Sequence, residues 1–226
     1  MRGARLTRID IFSNAIFAFA LALLVLSLEV PRTFAELRDA LSGFLPFAAC
    51  FTILLVLWYS HYLFFRRYGL HDQVTILFNS ALLFIVLFYI YPLRFLFGTL
   101  FVPLRRGHPQ PPLSNSQLTE LLLLCAIGFI AVCFLLASLY GNAWRQRSRL
   151  ALNGVERLLT IHSILDCLGL AAVGFLAGVA AWLLPARFTL ASVYLYFLIV
   201  PWKALSSFYF GRKARNLRAL VAAPNL

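Results

Sequence analysis

Charge is what this sequence has least of. Charged residues make up 12% of its 226 positions, and only 8 of them are acidic, where soluble domains carry about a quarter. Beside a 62% hydrophobic content, that scarcity excludes a soluble domain. The basic excess, 20 Arg and Lys giving a formal net charge of +12, would point to nucleic acid in a soluble protein. Here the apolar runs leave no basic face, so no nucleic acid is expected, and the charge has to be explained through a membrane. Cysteine is also scarce. Cys50, Cys125, Cys133 and Cys167 each sit inside a hydrophobic run without CxxC or metal-ligand spacing, so they read as buried small apolar residues. There is no Gly-rich phosphate loop, no HExxH and no serine in a nucleophile-elbow context. Neither an enzyme nor a cofactor is expected.

What is present is a series of apolar runs. A bilayer-crossing helix needs about 20 such residues, and six runs qualify, over approximately 10–30, 40–65, 73–99, 118–143, 158–185 and 188–211. The expectation is an all-α polytopic membrane protein, one six-helix domain over 1–226. Thr7 and Asp10, three apart, form a capping-box-like start for the first run. That run is too long for a signal peptide, lacks a small-residue cleavage site and reads as uncleaved. The fifth run holds one acid, Asp166, and the sixth one cation, Lys203, placed to snorkel towards the headgroups. The stretch from Pro103 to Gln117 is Pro-rich and reads as a loop. Assigning the connections alternately to two sides puts 14 cations on the side of both termini and 6 on the other. By the positive-inside rule both termini are cytoplasmic. No soluble partner is implied, and the surroundings are membrane lipids.

Polar residues at membrane depth are costly and are functional candidates by default. The first run has Ser13 and Asn14, the second Trp58 and His61, the third Asn79, and the fifth His162 and Asp166, which share a helix face and read as a hydrogen-bonded pair. On the first run Ala15, Ala18 and Ala22 form a small-residue face of the kind that lets membrane helices approach closely. Phe12, Ile16, Phe19, Leu23 and Leu26 form a bulky stripe beside it, and spacing alone leaves open whether that stripe faces lipid, a core or a pore.

From Arg8 to Pro31 the chain reads RIDIFSNAIFAFALALLVLSLEVP. This resembles the first-helix signature of the TMEM175 family of potassium channels, R-x-x-x-F-S-D followed by an apolar run containing T-L-L-V-L-E and ending near V-P. Trp58 and His61 as W-x-x-H, Phe65, Asn79 and Pro92 also fall where the family pattern has them. The resemblance implies a six-helix subunit of a homotetramer in the bacterial plasma membrane. Potassium would be the permeant ion, and four first helices would line an axial pore closed by bulky apolar side chains. In register, the constriction falls on Phe19, Leu23 and Leu26, with Ile16, Ala15, Ala18 and Ala22 lining the pore or packing the helices. Arg8, Phe12, Ser13, Asn14, Trp58, His61 and Asn79 would form the interhelical network that holds the pore helix.

The departures from the pattern are Asn14 for its Asp, Ala22 for its Thr, Phe19 for Ile or Leu, and Ser27 for its Glu. They make the path more apolar or bulkier. With no TVGYG-like filter, discrimination among ions would come from dehydration at an apolar constriction. A non-conducting scaffold or sensor on the same fold is the alternative, and a proton-coupled transporter using His61, His162 and Asp166 is a third.

Overall fold

The computed structural model describes residues 7–26, 31–101 and 113–222, and among these it is all-helical. The elements are α1 (Arg8–Leu26), α2 (Phe34–Ser42), α3 (Phe44–Tyr68), α4 (Gln73–Leu100), α5 (Asn115–Arg145), α6 (Gly154–Leu183), a 3-10 helix (Ala186–Leu198) and α7 (Ile199–Ala222). Six segments are long and apolar enough to cross a bilayer: α1, α3, α4, α5, α6 and the composite Phe188–Asn216.

Local chemistry sets where these helices start. Thr7 and Asp10 cap α1 reciprocally: the Thr7 amide donates to Asp10 Oδ2 at 3.0 Å and the Asp10 amide to Thr7 Oγ1 at 3.3 Å. Equivalent boxes move other boundaries away from where the apolar runs alone place them. Ser114 and Gln117 start the fourth span at Asn115 rather than 118, inside the stretch expected to be loop. Asn153 and Glu156 start the fifth at Gly154 rather than 158. Thr33 and Glu36 nucleate α2, a nine-residue helix that the hydropathy pattern omits, and the second span then runs over Phe44–Tyr68 instead of 40–65. The expected loop's residues 102–112 lie outside the described residues, as do Arg2, Arg5 and 27–30. The sixth span, expected as one helix over 188–211, is a 3-10 helix that passes into α7.

α3 stops at Gly69, whose φ of 58° is left-handed, a conformation a Cβ would strain. Arg66 and Arg67 in its last turn complement the helix dipole. Asp72 then caps α4, so a four-residue link turns the chain back on itself. Pro92 lies inside α4 and removes one helical N–H; its carbonyl accepts Cys125 Sγ at 3.6 Å, and Tyr89 OH donates to the Cys125 carbonyl at 3.1 Å. These bonds tie α4 to α5 around Gly128, where an added Cβ would stand 2.4 Å from Tyr89 Cδ2.

Packing follows chain order. α1 lies on α3 and α4, α4 on α5, α5 on α6, and α6 on the 3-10 helix and α7. The main core joins α1, α3, α4 and α5 through side chains such as Ala20, Leu24, Phe64, Leu82, Leu83 and Leu139, all at most 2% exposed. α7 is held less fully: Ala214 is buried and Ser206 and Phe210 are half-buried, while most of its surface is exposed.

Candidate functional site

α1 is bound on one side only. Ser13, Phe17, Ala20 and Leu24, spaced by four, three and four residues, are its buried stripe. On the opposite side Ala15, Ala18, Phe19, Ala22, Val25 and Leu26 are exposed, with Phe19 at 55% and Leu26 at 76%. Ile16 and Leu23 lie half-buried on the flank between. At about 100° per residue, the bulky stripe Phe12–Ile16–Phe19–Leu23–Leu26 is therefore rotated by one residue from the side that packs on the bundle.

Two adjacent polar residues set that rotation. Asn79 of α4 donates through Nδ2 to Ser13 Oγ at 3.0 Å. Its amide oxygen is 2.7 Å from His61 Nε2 of α3, so His61 carries its proton on Nε2 and donates. Ser13, His61 and Asn79 are 0%, 2% and 2% exposed. Phe17 and Phe65 close over the imidazole, with ring centroids 5.5 and 4.7 Å away. One residue further along α1, Asn14 Oδ1 accepts from Trp58 Nε1 at 3.0 Å. α1 is thus bonded to α4 through Ser13 and to α3 through Asn14. Two bonds in different directions fix a helix against rotation where one would leave it free.

Two residues expected in this network stand apart from it. Arg8 is exposed in the first turn and makes none of these bonds. Phe12 is 59% exposed on the free side, one residue, and so about 100°, away from Ser13. The fifth-span pair is also rearranged. Asp166 bonds to Lys203 and Ser206 of α7 rather than to His162. Lys203, expected to reach for headgroups, thus has its counter-charge within the protein. His162 instead packs on Phe210 at 4.8 Å, and its Nε2 is buried without a partner. His61 thus bonds Asn79 and His162 packs on Phe210, and no described hydrogen bond or ring contact brings the two histidines together. Among the described residues no three His, Cys, Asp or Glu side chains cluster as a metal site.

A second set of bonds, unforeseen in the sequence, fastens the same end of the bundle. Asp72 accepts from Thr75 Oγ1 at 2.7 Å and from Asn142 Nδ2 at 3.0 Å, joining α4 to α5. Burial pushes the Asp72 carboxyl up, but hydrogen bonds from Thr75, Asn142 and Gln146 outweigh it and hold the group at about 2. Tyr68 OH donates to Thr160 Oγ1 at 2.8 Å, and Arg67 Nη1 to Ser163 Oγ at 3.4 Å, joining α3 to α6. Asn142, near the end of an otherwise apolar helix, was the available signal.

The fold and site define a class: a six-span helical membrane protein whose first helix is locked in rotation by buried polar bonds and carries an uncharged, unpartnered side. The comparisons make it specific. The family model described as endosomal/lysosomal potassium channel TMEM175 matches residues 8–89, which hold every member of the network. A protein of Marivirga tractuosa named potassium channel is 37% identical over 230 residues, covering 96% of this chain and 92% of that protein. A potassium channel of Chamaesiphon minutus is 32% identical over 130 residues, covering 54% of this chain and 61% of the relative. A crystal structure of the potassium channel MtTMEM175, a variant bound to a nanobody–MBP fusion, matches with a TM-score of 0.81 at 37% identity over 95% of this chain and 96% of that one. The chain belongs to the TMEM175 family.

Proposed function

We propose that this protein is a potassium channel, assembled as a homotetramer in the bacterial plasma membrane with both termini cytoplasmic, whose pore is formed by four copies of α1. The observation that carries the reading is the free side of α1. From Ile11 to Leu26 it bears no charge, and it is held in one orientation by the Ser13–Asn79–His61 and Asn14–Trp58 bonds. The relatives, named as potassium channels, support the same assignment. Channels of this kind move ions down a gradient and are not enzymes.

In such an assembly Phe19, Leu23 and Leu26 form successive apolar rings, with Ala15, Ala18, Ala22 and Ile16 between and beside them. A cation passing these rings finds no carbonyl or carboxylate to replace lost water, so dehydration is the main barrier. Phe19, the bulkiest of the three, is the governing constriction, and Ala22 leaves a wider, hydroxyl-free step one turn beyond it. The network residues act by positioning: they decide which side chains of α1 face the axis.

The test is potassium flux into liposomes holding the purified protein, beside a Phe19→Ala form. Flux in wild type, larger in Phe19→Ala, supports an open pore narrowed at Phe19, and flux in Phe19→Ala alone supports a closed apolar gate there. If neither form exceeds empty liposomes, the channel reading is lost and the non-conducting scaffold stands.

A further inference from the structure

Cations that the pore does not use gather at one end of the bundle, and four of them stand against rings: Arg66 and Arg212, which are exposed, Arg147, which is half-buried, and half-buried Arg67, which lies 5.9 Å from the Tyr68 centroid and is turned inward onto Ser163. Arg66, ending α3, has its guanidinium carbon 5.6 Å from the Tyr62 ring centroid. Arg147, just past α5, stands 4.9 Å from that of Trp144, and Arg212 of α7 stands 5.5 Å from that of Phe208. Interhelical contacts put the three near one level: Arg67, beside Arg66, bonds Ser163, while Phe210, two residues before Arg212, packs on His162 of the same helix as Ser163. α5 ends and α6 begins there as well.

A guanidinium over an aromatic ring is held in place by the ring while its N–H edge stays available. Of the five donors on each, Arg66 uses one on Tyr62 OH at 2.8 Å and Arg147 one on the Trp144 carbonyl at 3.2 Å. Among the described residues no carboxylate lies within ion-pair reach of these three. The acids of this end are already engaged: Asp10 with Thr7, Asp72 with Thr75 and Asn142, Glu156 with the Asn153 amide and Asp166 with Lys203. Buried Ala214 keeps this part of α7 docked, so Arg212 is presented on fixed backbone.

We infer that Arg66, Arg147 and Arg212, each poised over its ring, form a belt that binds the phosphates of an anionic phospholipid leaflet. Geometry as well as charge carries the assignment. A phosphodiester offers two oxygens in a plane, the complement of a guanidinium edge, and rings at the membrane interface set that edge at headgroup level. A lysine at the same position keeps the charge but loses both the planar fork and the stacking. The surface is separate from the proposed pore, and lipid binding is measured without conduction, so its failure leaves the channel reading untouched.

The experiment compares thermal unfolding of the purified protein in neutral detergent with added phosphatidylglycerol or phosphatidylcholine. The variants are Arg66→Lys/Arg147→Lys/Arg212→Lys and, as a control at the opposite end, Arg32→Gln/Arg38→Gln. The expected result is a melting temperature raised by phosphatidylglycerol only, retained by the control and mostly lost in the lysine variant. Co-purifying anionic lipid in that variant should fall about tenfold. A lysine variant with the full wild-type response overturns the belt in favour of bulk charge, and an equal rise from phosphatidylcholine or from free glycerol phosphate overturns the lipid assignment. Should the triple variant not fold, Arg147→Lys and Arg212→Lys alone are each expected to lose part of the response, and an intact response in both is equally fatal.

Discussion

Replacing Asn79 by alanine removes two bonds at once, because the side chain serves Ser13 with its amide nitrogen and His61 with its oxygen. What remains is an imidazole N–H and a hydroxyl sealed from solvent, His61 at 2% exposure and Ser13 at 0%. An orphaned buried group costs roughly 1–3 kcal/mol, and hydrogen bonds measured inside membranes average about 0.6 kcal/mol. Two such bonds together put the loss near 2 kcal/mol, which for a chain of this size lowers the melting temperature by about 4–8 °C. Asn14→Ala is the internal control. Its partner Trp58 is half-buried and Asn14 is exposed, so water or a headgroup can satisfy the indole and the cost should stay near 0.5 kcal/mol. Thermal unfolding of both variants in one detergent, followed by tryptophan emission, provides the comparison. An Asn79→Ala protein within about 1 °C of wild type, or an Asn14→Ala protein that loses more, would refute the claim that the buried bonds set the angle of α1.

Other expectations follow from the same geometry. Gly128→Ala sets a methyl 2.4 Å from a Tyr89 ring that its bond to the Cys125 carbonyl holds in place; it should destabilise by about 1–3 kcal/mol, and a double-mutant cycle with Tyr89→Ala should recover much of that, whereas additive losses would show that the ring gives way. Lys203→Met leaves the Asp166 carboxylate without its counter-charge and with only the Ser206 hydroxyl as a partner, and should cost about 1–3 kcal/mol; Lys203→Met/Asp166→Asn should unfold at a temperature nearer wild type, and a double variant worse than the single would count against the pairing. The Asp72 carboxyl, at about 2 in the folded chain against 3.8 for a free aspartate, adds stability that is complete above 3.8 and disappears as pH falls towards 2. Acid unfolding of Asp72→Asn should therefore be flatter between those values than that of wild type, and parallel curves would exclude the carboxylate as the cause.

Much of this molecule was readable from residues alone because the membrane simplifies the code. Apolar length found all six spans, and Thr7 with Asp10 marked the first helix start. The angle of α1 was not readable. Ser13–Phe17–Ala20–Leu24 and Phe12–Ile16–Phe19–Leu23 are both helical stripes in an almost wholly apolar segment, and only the partners of Ser13 and Asn14, 44 to 66 residues away, choose between them. Resemblance to the family signature brought Trp58, His61 and Asn79 to that network, but it also brought Arg8 and Phe12, which the fold leaves out. The Asp166–Lys203 pair was obscured by an in-helix neighbour, His162, at the spacing where pairs are usually sought. α2 and the start of α5 are marked by capping boxes, Thr33 with Glu36 and Ser114 with Gln117, and not by hydropathy, which carries no signal for a short polar helix or for the polar first turn of a span.

Among the described residues, the side-chain bonds that tie α1 to α3 and α4 lie in its first half, at Ser13 and Asn14, while Ala20 and Leu24 pack into the apolar core further along. Such a helix is a lever with its pivot near one end. At about 1.5 Å per residue, Phe19 lies roughly 7 Å from the pivot and Leu26 roughly 18 Å. A tilt of about 5° then displaces Leu26 by about 1.6 Å and Phe19 by less than half of that. In the tetramer proposed above, the Leu26 ring would be the compliant one and the Phe19 ring the stiff one, so tilting this helix would change the width of the proposed path chiefly at its far end.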